Sequence, residues 1–171
     1  MNETSTNGFW DRVVQNFVRP DTEAAAYEEF FRPDVDGVIR YALIRNALRL
    51  PGGENRATAL ALLERMPVEE KKALFPELIQ LARSAHGPVG KVREILLSLP
   101  REWVLARIDA EVEPILRNEE YEDYWMFLEL FERLDPGRAV ALARRAALHA
   151  DPDIRELGLE LLARLVAEES A

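Results

Sequence analysis

A chain of 171 residues with 48% apolar side chains is long enough and apolar enough to bury a continuous core, which excludes wholesale disorder. Its 22 basic and 31 acidic residues leave a net charge of -9, a balance that argues against a broad electrostatic footprint on nucleic acid or anionic lipid. Zero cysteines exclude disulfides, thiolate metal sites and cysteine nucleophiles together.

The first residues, Met1 to Gly8, carry no basic stretch followed by an apolar one, and no run in the chain approaches the about 18 uncharged apolar residues of a membrane span. A cytoplasmic location is therefore expected. Residues 1–7 are small and polar and read as a disordered tail. Phe9, Trp10, Val13, Val14, Phe17 and Val18 then follow helical spacing, which predicts a helix over 8–18. Pro20-Asp21 ends it, and Asp21 is expected to cap a second helix through Phe31. The bulky side chains Phe9, Trp10, Phe17, Tyr27, Phe30 and Phe31 suit an N-terminal capping pair over 8–32.

A helix-turn-helix grammar then recurs. Its boundaries fall at Pro33, Pro67, Pro100 and Asp135-Pro136, spaced by 34, 33 and 35 residues. These define units 33–66, 67–99, 100–134 and 135–168, read as one continuous domain. The first unit pairs 34–49 with 54–66 across Leu50-Pro51-Gly52-Gly53. The second pairs 68–85, with Leu74, Leu78, Leu81 and Ala82 at helical spacing, against 88–99, with Val89, Val92, Leu96 and Leu99. Gly87-Pro88 forms its turn. The third pairs 101–117 with 119–134, and the fourth 136–149 with 151–168. Asp135-Pro136 and Asp151-Pro152 each put a carboxylate at the cap and proline in the first helical turn. Pro76 and Pro114 lie inside first helices and predict either a kink or the start of a new helix.

The array resembles HEAT repeats. The residues that carry the resemblance are Leu-Phe-Pro-Glu-Leu-Ile-Gln-Leu-Ala-Arg at 74–83 with Val-Arg-Glu-Ile-Leu-Leu at 92–97, and the Ala-rich helix at 139–148 with Asp-Pro-Asp-Ile-Arg-Glu at 151–156. The resemblance implies an all-α fold, an α-solenoid of about four HEAT-like helical hairpins with an N-terminal helical cap. The period here is shorter than the family's roughly 40 residues.

The stretch from Asp109 to Glu132 holds nine acidic residues and one basic residue, Arg117, interleaved with Tyr121, Tyr124, Trp125, Met126, Phe127 and Phe131. One reading is a central helix, buried along Tyr121, Tyr124, Phe127, Leu128, Leu130, Phe131 and Leu134, with a charged outer edge. The sharper reading is an acidic-aromatic surface of Glu119, Tyr121, Glu122, Asp123, Trp125 and Glu129 that attracts a basic segment of another protein. Arg56, Lys91, Arg93 and Arg155 lie near the starts of second helices, where they form either a ladder on a concave face or structural pairs with neighbouring carboxylates. His86 and His149 end first helices, where an imidazole can bond the last carbonyls. Ser84 and Ser98 lack a nucleophile elbow, and Pro51-Gly52-Gly53 lacks the continuation of a phosphate loop.

These features point to a non-catalytic protein-protein interaction module, an adaptor, assembly factor or immunity-type protein, whose partner is another protein with a basic surface. No cofactor, metal or catalytic residue is expected, and neither nucleic acid nor membrane is an expected partner. Some HEAT-like proteins are DNA alkylation-repair glycosylases or bilin lyases, and Trp103, Trp125, Asp109, Asp123, Arg107 and Arg117 supply the residue types for that alternative. A homodimer through the last helix, with Leu159 and Leu162 at its surface, is a third arrangement.

Overall fold

The computed structural model describes residues 3–19, 21–50, 53–83 and 89–169, the side chains of 3–5, 7 and 166–169 excepted. Among them the regular structure is all helical: α1 (Glu3–Val18), α2 (Glu23–Phe30), α3 (Gly37–Arg49), α4 (Gly53–Arg65), α5 (Val68–Ala73), α6 (Phe75–Ala82), α7 (Val89–Ser98), α8 (Arg101–Leu105), α9 (Ile108–Leu116), α10 (Tyr121–Leu134), α11 (Pro136–Ala147) and α12 (Pro152–Glu169). The chain divides into two compact units, Met1–Glu77 and Leu78–Ala171, with the division inside α6.

In the first unit α1 packs on α2 and α4, and α3 packs on α4 and α5. Aromatic side chains join the N-terminal pair: Trp10 meets Phe30 edge-on at 6.3 Å and Phe17 meets Tyr27 at 5.8 Å. Trp10 Nε1 donates to Asn55 Oδ1 at 2.9 Å, and the Arg65 guanidinium lies 3.6 Å from the Tyr27 ring centre. The rings thus tie α1 and α2 to α4. Helix α1 begins at Glu3 rather than Gly8, because its polar first turns need no buried face to continue an established helix. Helix α2 is preceded by Thr22, not capped by Asp21; the Thr22 hydroxyl instead donates back to the Asn16 carbonyl at 2.7 Å. In α3 the cap is Asp36, which accepts from the Val38 N–H at 2.7 Å.

Thr58 in α4 is fully buried, and its Oγ1 has no hydrogen-bond partner among the described residues. A buried hydroxyl left unbonded costs about 1–3 kcal/mol. Thr58→Val, nearly isosteric, is therefore expected to stabilise the protein by about 1 kcal/mol, read as a higher urea midpoint at unchanged slope. A lower midpoint would show that the hydroxyl is satisfied in solution.

In the second unit α10 is the central element, packing on α7, α9, α11 and α12, while α11 packs closely along α12. Tyr124, Phe127, Leu128, Leu130, Phe131 and Leu134 of α10 are buried, as the helical spacing predicts. Each such large side chain contributes about 1.5–3 kcal/mol of hydrophobic burial. Asp135 caps α11 by accepting from the N–H groups of Gly137 and Arg138, and Asp151 caps α12 by accepting from those of Asp153 and Ile154. The two Asp-Pro start signals therefore act as their chemistry predicts.

The prolines behave differently from each other. Pro76 lies in the first turn of α6, after a break at Leu74, so it starts a helix where its missing N–H leaves no bond unmade. Pro114 lies in the last turns of α9. The interruption in its unit comes earlier, at Ala106-Arg107, between α8 and α9. The turns around Pro51-Gly52 and Gly87-Pro88, together with His86 and Ser84, lie outside the described residues.

A recurring bond ties helices one sequence period apart. In the first unit Arg40 holds Glu70 at 2.8 and 3.1 Å, and Arg45 and Arg49 both donate to Glu77 at 2.8 and 2.7 Å. Glu77 is 7% exposed, and its bond holds the Arg45 guanidinium above its ordinary pKa. In the second unit Arg93, Arg101 and Arg138 donate to the carbonyls of Met126, Leu134 and Leu105, each 33 residues away. Arg145 reaches Glu113 at 2.7 Å and Arg164 reaches Glu132, each across 32 residues. Residues about 30 positions apart in sequence are thus joined repeatedly within each unit.

Candidate partner-binding surface

Arginines take five of the nine carboxylates in the acidic run from Asp109 to Glu132. Of its nine carboxylates, Asp109 pairs with Arg138, Glu113 with Arg145, Asp123 with Arg83, Glu129 with Arg93 and Glu132 with Arg164. The local charge excess thus serves as the acceptor side of packing between neighbouring helices. Burial works against the Arg145 charge, yet the bond to Glu113 and the nearby Tyr124 hydroxyl outweigh it and raise its pKa. Glu111, Glu119, Glu120 and Glu122 have no ion-pair partner among the described residues; the last three open α10.

Of the six residues expected to form an acidic-aromatic surface, five are at least partly accessible. Glu119, Glu122, Tyr121 and Trp125 are exposed, the two rings by 43% and 39%. Tyr121 and Trp125 stand one helical turn apart with ring centres 6.4 Å from each other. Glu129 is half-buried and fully engaged: Oε1 accepts from Trp125 Nε1 at 3.1 Å and Oε2 lies 2.5 Å from Arg93. It positions the indole instead of offering a free charge.

Asp123 is the exception. It is 1% exposed and takes both oxygens of its carboxylate onto Arg83, at 2.8 and 2.7 Å, so it belongs to the interior. Its place in the first turn of α10 also sets it against the positive end of the helix dipole.

Glu119 occupies the turn before α10 with φ of 58°, a left-handed conformation that a side chain bearing a Cβ adopts at a cost of about 1 kcal/mol. Its N–H donates to the Leu116 carbonyl and so closes α9. Glu119→Gly is expected to raise stability by about 1 kcal/mol, seen as a higher melting temperature; an unchanged or lower one would place the strain elsewhere.

Beside the exposed rings runs a cleft between α10 and α12. One part, of about 330 Å³, is lined by Trp125, Leu128, Glu129, Glu132, Leu157 and Leu161, with Glu160 and Arg164 at its edge. A second part, of about 210 Å³, is lined by Tyr121, Asp153, Glu156, Leu157 and Glu160. The two share Leu157 and Glu160. Sequence reading missed the α12 side, although Asp153, Glu156 and Glu160 follow the spacing of a single helical face.

The basic residues near the starts of second helices have separate structural duties. Arg56 donates to the Leu48 and Leu50 carbonyls, and Arg155 to those of His149 and Ala150. Each bonds carbonyls at or just past the end of the preceding helix. Arg93 bonds the Met126 carbonyl and pairs with Glu129, and Lys91 is half-buried at the start of α7. His149 accepts the Asp151 N–H at Nδ1 and packs its ring 5.4 Å from Tyr124, where a donor to the last helical carbonyls was expected. Trp103 and Arg107 stack on each other at 4.5 Å, while Asp109, Asp123 and Arg117 have their own ion-pair partners.

Among the described residues no group of three or more His, Asp or Glu side chains is placed to hold a metal ion, and no helix is long and apolar enough to cross a membrane. Comparison with protein-family models, with curated proteins and with solved structures yields no match to this chain.

Proposed function

We propose that this chain is a non-catalytic binding module, a HEAT-like α-solenoid whose α10 surface takes a basic region of another protein. The solenoid reading is supported by the arginine bonds that recur at 32–33 residues, since stacking of successive hairpins places equivalent positions side by side. The observation that carries the functional reading is the exposure of Tyr121 and Trp125 on a helix whose other large apolar side chains are buried. Exposed rings beside Glu119, Glu120 and Glu122 offer cation-π and ion-pair contacts to Arg or Lys at once. An adaptor, assembly factor or immunity-type role uses such a surface.

The test is affinity capture from lysate of the source cell at low and high salt, with the wild-type chain beside Tyr121→Ala/Trp125→Ala and Glu119→Lys/Glu122→Lys. A basic protein held at low salt, released at high salt and lost in both variants is the expected result. Retention of the same protein by both variants would overturn the reading. A salt-sensitive DNA shift or a coloured bilin adduct would instead favour the glycosylase or lyase alternative.

A further inference from the structure

The cleft between α10 and α12 carries a row of carboxylates without ion-pair partners among the described residues. At other seams Glu70, Glu77, Glu113 and Asp123 meet an arginine of another helix or helical pair; here Asp153, Glu156 and Glu160 do not. None of the three has an ion-pair partner among the described residues, whereas Glu129 and Glu132 on the opposite wall are taken by Arg93 and Arg164. Positions 153, 156 and 160 fall on one face of α12, so three like charges repel along it and cost the helix stability. Between them lies an apolar floor of Leu157 and Leu161, and across the cleft stand the exposed rings of Tyr121 and Trp125.

Resting on the binding-module reading above, we propose that this cleft docks an arginine-bearing segment of the partner protein. Its guanidinium groups meet Asp153, Glu156 and Glu160, and its aliphatic stems lie on Leu157 and against the rings of Tyr121 and Trp125. Charge complementarity selects the occupant: three uncompensated carboxylates over a stripe of about 10 Å call for cations in series. The apolar floor and rings favour side chains with a hydrocarbon stem over a bare ion. Arginine fits better than lysine because its planar fork holds a carboxylate by two parallel bonds and stacks on an aromatic face; this chain uses the two-bond pairing at Arg40–Glu70 and Arg83–Asp123.

The probe is a fluorescein-labelled synthetic peptide of alternating Arg and Leu, with a twin in which citrulline replaces every arginine, titrated by anisotropy against the full chain. The wild type is expected to bind the arginine peptide at least about tenfold tighter than the citrulline twin, and Glu156→Gln/Glu160→Gln to lose about tenfold in affinity. The same variant relieves repulsion along α12, so weaker binding at unchanged circular dichroism is not unfolding. Equal binding of the twin, unchanged affinity of the double variant, or absence of saturable binding to the wild type would each overturn the cleft. Equal competition by free spermidine would also overturn it, because a polyamine carries charge and methylene chains without the planar fork. Captured protein retained by Glu156→Gln/Glu160→Gln but lost by Glu119→Lys/Glu122→Lys would refute the cleft while the α10 surface stands. Retention by both would refute the two together.

Discussion

Gly158→Ala is expected to destabilise the protein by about 2–3 kcal/mol, although alanine is the better helix former by about 1 kcal/mol. A Cβ at position 158 would lie 2.4 Å from the Ala147 nitrogen, 2.6 Å from the Ala143 oxygen and 2.8 Å from the Ala146 carbonyl carbon. These are backbone atoms of α11 and cannot rotate aside, so α12 must move away from it. The separation would strip contacts from Ala143, Ala146 and Ile154, all fully buried. Gly90→Ala is the control: a Cβ there meets nothing within 4 Å, so that substitution should be neutral or mildly stabilising. Urea unfolding of the two variants checks this, and a Gly158→Ala midpoint at or above that of the wild type would refute the close packing.

Arg83 and Asp123 should respond unequally to removal of the partner. The Asp123 side chain is 2% exposed and that of Arg83 33%. Arg83→Met strands a carboxylate in the interior and is expected to cost about 3 kcal/mol. Asp123→Asn leaves a cation that can turn to water, so the loss shrinks to about 1–2 kcal/mol once solvent screening is counted. The double variant Arg83→Met/Asp123→Leu should recover much of the stability lost by Arg83→Met, since no buried charge then lacks a partner. Equal losses in the two single variants, or simple additivity in the double, would show that burial does not govern this pair.

Much of the helical framework was legible because its signals are local. Asp135-Pro136 and Asp151-Pro152 announce helix starts through chemistry confined to a few residues, and the spacing along α10 identifies its buried face. The break at Leu74 was one of two outcomes offered by Pro76, whereas that at Ala106-Arg107 was not legible, since no glycine or proline stands near it. Asp123 was grouped with the surface because it belongs to the acidic run interleaved with aromatics; nothing local marks its partner Arg83, 40 residues earlier. For the arginines that bond backbone carbonyls, though not for Arg83, the spacing of about 33 residues was a usable signal. Counting one period from Arg93, Arg101 or Arg138 arrives at the position each bonds. Gly158 was also detectable in principle: a glycine inside a run of strong helix formers costs about 1 kcal/mol, which calls for a packing reason, and α11 offers alanines at 139, 143, 146 and 147.

The side-chain hydrogen bonds also bear on how the chain is made. Among the described residues the longest reach in sequence belongs to Trp10 and Asn55, 45 positions apart, and most of the bonds between helices close within 33. Little loop entropy must be lost before such contacts form, which places this topology among the fast folders. A nascent chain extended by 45 residues beyond either partner already holds both ends of every such side-chain bond among the described residues. Assembly can therefore keep pace with synthesis, and the aromatic N-terminal helices need not wait, exposed, for the last helix to be translated.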